Sequence, residues 1–118
     1  MGRRKLPGIT ILYHPATLEE LRSSLAPSVQ ADVIAKVDRL NGRPQPEIVS
    51  MLDRRTEPKV FQWEGSAEAG TLRIVFAWGK GCLWMIGAFV KVNDKEGERY
   101  MRRILRRAVE VRNWDEKR

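Results

Sequence analysis

The sequence predicts an α+β domain with helices segregated around one antiparallel sheet. Two apolar segments, 72–78 and 82–92, flank the turn Gly79-Lys80-Gly81, which is typical of a β-hairpin. Apolar residues also recur three or four positions apart over 29–40 and 101–111, as in helices with one buried face. All 118 residues are predicted to form one domain with the element order β-α-α-β-β-β-α.

The chain is predicted to begin with a basic, flexible arm over residues 1–8. A β-branched and aromatic strand follows over 9–13. Thr17 is the predicted N-cap of a first helix that extends to about Leu25. Two acidic residues should lie in its first turn, where the helix dipole favours negative charge: Glu19 and Glu20.

A second helix is predicted over 27–40, so that the two helices form a hairpin against the sheet. Its stop is predicted at Asn41-Gly42, because these residues tolerate a left-handed backbone. Residues 43–59 leave two interpretations open, a short helical turn or an extended connector.

The C-terminal half is predicted to contain three strands and one long helix. The first strand covers 60–64, and a polar turn over 65–70 leads to the apolar hairpin. Both hairpin strands are apolar at nearly every residue, so we expect the sheet to be covered on both faces or these strands to be centrally placed. Asn93 is the predicted N-cap of a helix that extends to about Asn113, and residues 115–118 form a polar tail.

The net charge of +7 and the pI of about 10.1 favour a polyanionic partner, either nucleic acid or an acidic protein. Arginine greatly outnumbers lysine, and its planar guanidinium suits bidentate phosphate contacts. The lone Cys82, together with no apolar stretch of signal-peptide or membrane-span length, predicts a cytoplasmic protein. One cysteine and one histidine cannot form a zinc site, so no metal or other cofactor is expected.

RNA cleavage suits a chain that offers cations but no nucleophile. The substrate's own 2′-hydroxyl attacks the adjacent phosphate, and a 2′,3′-cyclic phosphate forms. The protein must help remove the hydroxyl proton, neutralise the phosphorane and protonate the leaving 5′-oxygen. Arg73 and Lys91, at the two ends of the apolar hairpin, suit the second task, whereas His14 is more typical of a capping or solvated residue.

Two motifs stand out on the hairpin strands, Leu72-Arg73-Ile74-Val75-Phe76 and Ile86-Gly87-Ala88-Phe89-Val90-Lys91. Together with the element order, they resemble the RelE superfamily of bacterial toxins, particularly its HigB-like and phage-derived branch. The resemblance implies a RelE-like fold with an N-terminal helical hairpin and a C-terminal helix. It also implies a toxin of a type II toxin–antitoxin system that cleaves mRNA on the ribosome. The implied partners are an acidic antitoxin with a helix-turn-helix domain, the ribosome and mRNA, with no metal and no membrane.

By the same resemblance, Arg73 and Lys91 would contact the scissile phosphate. Glu64 is the candidate general base, and Tyr100 or Lys91 the general acid. Further cations are expected to bind RNA: Arg54, Arg55, Lys59, Lys80, Arg99, Arg102 and Arg103.

Three alternatives remain open at the level of sequence. Arg73 can instead be a strand-edge residue paired with Glu64 or Glu68. The protein can be a RelE-like module that binds RNA or an acidic partner without cleaving, since Val92 stands where the family often has a second lysine. Finally, the basic C-terminal helix can dock on an acidic protein.

Overall fold

The computed structural model describes residues 6–57, 59–68 and 70–117, and this part of the chain forms five strands and four helices. In chain order they are β1 (Ile11–Tyr13), α1 (Pro15–Ser24), α2 (Pro27–Leu40), α3 (Gln45–Ser50), β2 (Asp53–Arg54), β3 (Val60–Ala67), β4 (Gly70–Trp78), β5 (Leu83–Lys91) and α4 (Asp94–Val111). The strands form one sheet in the order β1-β5-β4-β3-β2. The predicted α+β class, with a helical hairpin before the sheet and one long helix after it, is confirmed.

Strands β2 to β5 pair antiparallel with their neighbours, whereas β1 lies parallel to β5. β1 and β5 are therefore neighbours in the sheet, although helices α1 to α3 and strands β2 to β4 lie between them in the sequence. Residues 43–59, which the sequence left open, supply both the short helix α3 and the edge strand β2.

The sheet is covered on both faces, as predicted from its apolar strands. One core cluster joins buried residues of α1, α2 and α3 to one face of the sheet. The second cluster joins the apolar stripe of α4 to the other face, and it includes the buried Cys82. Because β4 and β5 lie in the middle of the sheet, they contribute side chains to both clusters.

The start of α1 corrects the prediction. The N-cap is His14, whose Nδ1 accepts a hydrogen bond from the backbone N–H of Ala16 at 3.0 Å. Pro15 occupies the first helical position, where its fixed φ and missing N–H are well tolerated, so the helix begins before Thr17. Thr17 is therefore buried inside the helix, and no acidic residue lies in the first turn.

The predicted turn over 65–70 is also wrong, because β3 continues to Ala67 and β4 already begins at Gly70. Gly65 has a packing role instead. A β-carbon built there would lie 2.2 Å from the ring of Trp63, so glycine makes room for the indole. The predicted stop of α2 is confirmed at Gly42, which has φ +85.

The ends of the chain are described in part. Residues 1–5 of the predicted arm and Arg118 of the predicted tail lie outside the described residues. Gly8, at the end of the arm, pairs with Pro44 through an isolated bridge. In the tail, the backbone N–H of Lys117 donates to Asp115 Oδ1.

Arg107 holds three elements together from inside the protein. The register of β4 and β5 shifts between Val75 and Phe76, which leaves Ile86 as an unpaired bulge residue. The Ile86 carbonyl accepts a hydrogen bond from Arg107 Nη1 at 2.9 Å. The same guanidinium donates to Thr17 Oγ1 and to both carboxylate oxygens of Glu20. A bidentate ion pair therefore ties α4 to α1 above the bulge.

Burial alone would raise the pKa of Glu20, but its hydrogen bonds and attraction to Arg107 outweigh this effect and lower the pKa. Arg107 is only 7% exposed, so its charge needs these partners. The sequence pattern alone places Arg107 among the arginines that surround the apolar stripe of α4.

Replacing Arg107 by alanine should lower the free energy of unfolding by about 3 kcal/mol, because Glu20 and the Ile86 carbonyl lose their partners. Urea denaturation followed by circular dichroism would measure this change. The exposed neighbour Arg106 provides the matched control, and Arg106→Ala should cost less than about 0.5 kcal/mol. Equal effects of the two substitutions would contradict the assigned role of Arg107.

His14 is a second buried polar group on this side of the sheet. Its ring stacks on Trp114 with the centroids 5.2 Å apart, and Nε2 lies 3.6 Å from Glu110 Oε2. Burial lowers the pKa of His14 and outweighs the attraction of Glu110. The residue is thus a buried helix cap rather than a solvated side chain, one of the two roles that the sequence predicted.

Because the folded protein disfavours protonation of His14, the unfolded chain binds more protons once the pH falls below about 6.5. We therefore expect stability to decrease from about pH 7 to 5, a range in which most carboxylates remain ionised. His14→Asn keeps a cap acceptor without this titration, so its unfolding free energy should vary less over the same range. Parallel pH dependences for the two proteins would refute this explanation.

Candidate active site

A polar surface lies on the face of the sheet that carries α4, beside that helix. α4 packs mainly on β4 and β5, which leaves part of β3 open to solvent. Glu64 of β3 lies opposite Arg73 of β4, and Arg73 lies opposite Phe89 of β5. Lys91 is two residues beyond Phe89 on the same strand, so the pleat directs it to the same face as Arg73. The sequence-predicted Glu64, Arg73 and Lys91 are therefore brought together.

A row of hydrogen bonds crosses this surface from the sheet edge towards its centre. Arg55 Nη1 donates to Gln62 Oε1 at 2.8 Å, and Gln62 Nε2 donates to Glu64 Oε1 at 2.9 Å. Arg73 donates to the same Glu64 oxygen through Nη2 at 2.7 Å and through Nε at 3.0 Å. At the outer end, Arg55 Nε pairs with Glu57 Oε2 at 3.1 Å. The pairing of Arg73 with Glu64, which the sequence left open as an alternative, is thus present.

Arg73 is held more firmly than a typical surface arginine. Its side chain is 13% exposed, and its guanidinium carbon lies 5.9 Å from the centre of the Phe89 ring. The strand below and Phe89 beside it leave the guanidinium little freedom to move. Its charge is therefore available in a nearly fixed position.

Lys91 reaches the same surface from the end of β5. Its Nζ lies 2.8 Å from Oδ1 of Asp94, whose side chain is 90% exposed. The hydrogen bond and charge of Lys91 lower the pKa of Asp94. The stem of Lys91 crosses α4 at Gly97, where an added β-carbon would lie 3.2 Å from its Cγ. The absence of a side chain at Gly97 thus allows the methylene stem of Lys91 to pack against the helix.

Three cations line one small cleft of about 240 Å³: Arg55, Arg73 and Lys91. The remaining lining residues come from the first turns of α4: Asp94, Gly97, Glu98 and Met101. Converging cations beside a carboxylate suit the binding of a phosphate group and proton transfer next to it. Asp94 occupies the position on Lys91 that a phosphate oxygen would take.

Tyr100 lies apart from this cleft. Its ring stacks on Phe89 at 5.2 Å, and the guanidinium of Arg103 lies 5.1 Å from the centre of the tyrosine ring. The residue lines two neighbouring depressions on α4, one of which it shares with Arg99.

The other cations predicted to bind RNA are spread over the surface. Arg99, Arg102 and Arg103 are exposed on α4. Lys80 is exposed in the hairpin turn. Arg54 and Lys59 line a separate pocket, which lies on the face that packs against α1, α2 and α3.

Sequence reasoning missed two features of the cleft. It does not connect Arg55 with Gln62, which lies two residues before Glu64 on the same face of β3. It also does not name Asp94, which follows Lys91 by three residues across the turn between β5 and α4 and pairs with it. The closeness of Asp94 to Lys91 in the sequence is a local signal, whereas the link from Arg55 to Gln62 requires the strand register.

Within the described residues, no group of three histidine, cysteine, aspartate or glutamate side chains could hold a metal ion. In the same ranges, no helix combines the length and apolar character needed to cross a membrane.

Comparison with known proteins reveals a similarity in fold. No family model matches the sequence, and no curated protein matches it. Among solved structures, the chain is similar to the toxin RelE of E. coli in its free state, in a form with two arginines replaced by alanine. The match covers 82% of this chain and 98% of that one, with 16% identity and a TM-score of 0.57. This chain has the RelE fold.

Removing the charge of Asp94 should tighten the binding of RNA, because Lys91 loses its internal counterion. Asp94→Asn is expected to bind a non-cleavable 2′-O-methyl oligonucleotide roughly 3 to 10 times more tightly at low salt. Fluorescence anisotropy would measure the affinity. Asp32→Asn removes an exposed charge on α2 and serves as the control. If both variants bind like the wild type, Asp94 does not compete with phosphate for Lys91.

Proposed function

We propose that this protein is the toxin of a type II toxin–antitoxin system and cleaves mRNA on the ribosome without a metal. The observation that carries the proposal is that Arg73 and Lys91 line one cleft on the open face of a RelE-fold sheet, with Glu64 hydrogen-bonded to Arg73 beside it. The resemblance of the sequence to the RelE superfamily points to the same activity. Within that superfamily, we assign the chain to the HigB-like, phage-derived branch.

In the proposed reaction, cations stabilise the charge that develops on the phosphate. Arg73 offers a nearly fixed guanidinium, and Lys91 approaches the cleft from the neighbouring strand. Arg55 adds a third positive charge at the outer edge of the cleft. Preorganised charges of this kind stabilise a phosphorane without having to reorient during the reaction.

Proton transfers complete the reaction, and we assign the general base to Glu64. Its carboxylate is held by Gln62 and Arg73, yet its side chain is 38% exposed, so a 2′-hydroxyl can reach it. Glu64 takes the hydroxyl proton while the 2′-oxygen bonds to phosphorus. The bond from phosphorus to the 5′-oxygen breaks, and that oxygen takes a proton from an acid. Lys91 is favoured over Tyr100 as this acid, because Lys91 lines the cleft.

We further propose that the partners are a translating ribosome in the cytoplasm and an acidic antitoxin with a helix-turn-helix domain. The net charge of +7 and the exposed arginines of α4 support both polyanionic partners.

The activity can be tested by induced expression and by primer extension on a translated mRNA. Wild-type protein should arrest growth and leave a 2′,3′-cyclic phosphate at the cut. Arg73→Ala and Lys91→Ala should each slow cleavage by about 10²- to 10³-fold, since each removes one transition-state charge partner. Arg22→Ala removes an exposed charge on α1 and should leave the rate unchanged. A harmless wild type that cuts no mRNA in the presence of ribosomes would contradict the proposal.

A second candidate function is RNA binding without cleavage. Each cation of the cleft already has a carboxylate partner: Arg55 with Glu57, Arg73 with Glu64, and Lys91 with Asp94. Val92, which is 64% exposed, also stands where the family often has a second lysine. This function predicts salt-dependent RNA binding with no cyclic-phosphate product. Detection of that product would eliminate it.

A further inference from the structure

We propose that the protein has a second nucleotide-binding site, separate from the candidate active site, which holds one base and a flanking phosphate of single-stranded RNA. The site is a pocket of about 410 Å³, large enough for a nucleotide, on the opposite face of the sheet. Its lining includes two cations, Arg54 and Lys59, and two aromatic rings, Phe61 and Trp78.

The chemistry of this lining suits a nucleotide. Arg54 and Lys59 are exposed cations at the rim, where they can contact a phosphate. Trp78 is partly buried, so its indole can offer a stacking surface from a supported position. Stacking on an aromatic ring next to positive charges is a common way to bind single-stranded RNA without sequence preference.

The backbone of Lys59 brings this cation beside the tryptophan. Lys59 has φ +64, and it is the one described non-glycine residue with a positive φ. Glycine adopts this conformation without steric cost, whereas lysine does not. The Lys59 carbonyl accepts a hydrogen bond from the Trp78 N–H at 3.1 Å, which fixes the lysine beside the tryptophan. The turn that sets this φ is closed by a hydrogen bond from the Val60 N–H to the Glu57 carbonyl at 3.3 Å, and it holds Lys59 at the rim of the pocket.

Two consecutive arginines connect this pocket with the candidate active site around the sheet edge. Arg54 of the edge strand β2 pairs with Phe61 and lines the pocket. Arg55, the next residue, bonds Gln62 and lines the active-site cleft on the other face. Alternating side chains thus place positive charge on both sides of one edge. An RNA strand that passes around β2 would meet both sites in turn.

The experiment measures binding of a 2′-O-methyl oligonucleotide of about ten nucleotides, which lacks the attacking hydroxyl and cannot be cleaved. Fluorescence anisotropy at several salt concentrations gives the affinity and its salt dependence. Lys59→Gly should weaken binding several-fold and reduce the slope of log K against log salt by about 0.7, the loss of one phosphate contact. The same substitution should raise the melting temperature, because glycine relieves the left-handed backbone.

Trp78 tests the stacking half of the site. Trp78→Ala should weaken binding by about 5- to 100-fold, and Trp78→Phe should weaken it less because a ring remains. Since Trp78 also packs against the core, Trp78→Phe keeps the test valid if the alanine variant does not fold. Arg22→Ala controls for the loss of one exposed charge and should have a smaller effect than Lys59→Gly.

Unchanged affinity and salt slope in Lys59→Gly would overturn the proposal. The proposal would also be overturned if the pocket bound an acidic peptide and none of these substitutions changed the affinity for the oligonucleotide. The proposed catalysis is tested separately, because this probe cannot react. A wild type that cleaves no mRNA, combined with weakened binding by Lys59→Gly and Trp78→Phe, would reject the catalytic proposal and retain the second site.

Discussion

The arrangement of the helices around the sheet depends on one buried charge, the guanidinium of Arg107. Arg107 joins α4 to α1 through Glu20 and Thr17, and joins both to the bulge of β5 through the carbonyl of Ile86. A bulge frees a carbonyl that the sheet ladder would otherwise satisfy, and a guanidinium has enough donors to serve three partners at once. Directional bonds of this kind specify one position of α4, which apolar packing alone would fix less tightly. The position of α4 in turn decides which part of the sheet stays open.

The candidate active site is the part of the α4 face that the helix does not cover. Where α4 lies on β4 and β5, the strands carry apolar side chains, and where it does not, they carry Gln62, Glu64 and Arg73. The change from apolar to polar occurs within single strands, so one pleated scaffold supports both the core and the site. Catalytic groups on strands are positioned more accurately than groups on loops.

Local patterns predicted most of the fold, and long-range contacts account for what they missed. The heptad-like stripe of α4 and the apolar hairpin depend on residues close in sequence, so their periodicity was informative. The parallel pairing of β1 with β5 and the burial of Arg107 join residues far apart in the chain. Thr17 was a plausible cap by composition, but Pro15 and His14 together made a better one. In the candidate site, the pairing of Arg73 with Glu64 was open as an alternative from the sequence, whereas the link from Arg55 through Gln62 appeared only with the strand register.

Gly97 has an energetic consequence for Lys91. Glycine inside a helix costs up to about 1 kcal/mol relative to alanine, so the first turns of α4 are weaker than their sequence could allow. In return, the methylene stem of Lys91 is confined against the helix backbone while the protein is still free of substrate. A free lysine side chain loses up to about 2 kcal/mol of rotational entropy when a ligand immobilises it. Here much of that entropy is already lost on folding, so in the proposed reaction a phosphate would meet an ammonium group that is restricted in advance.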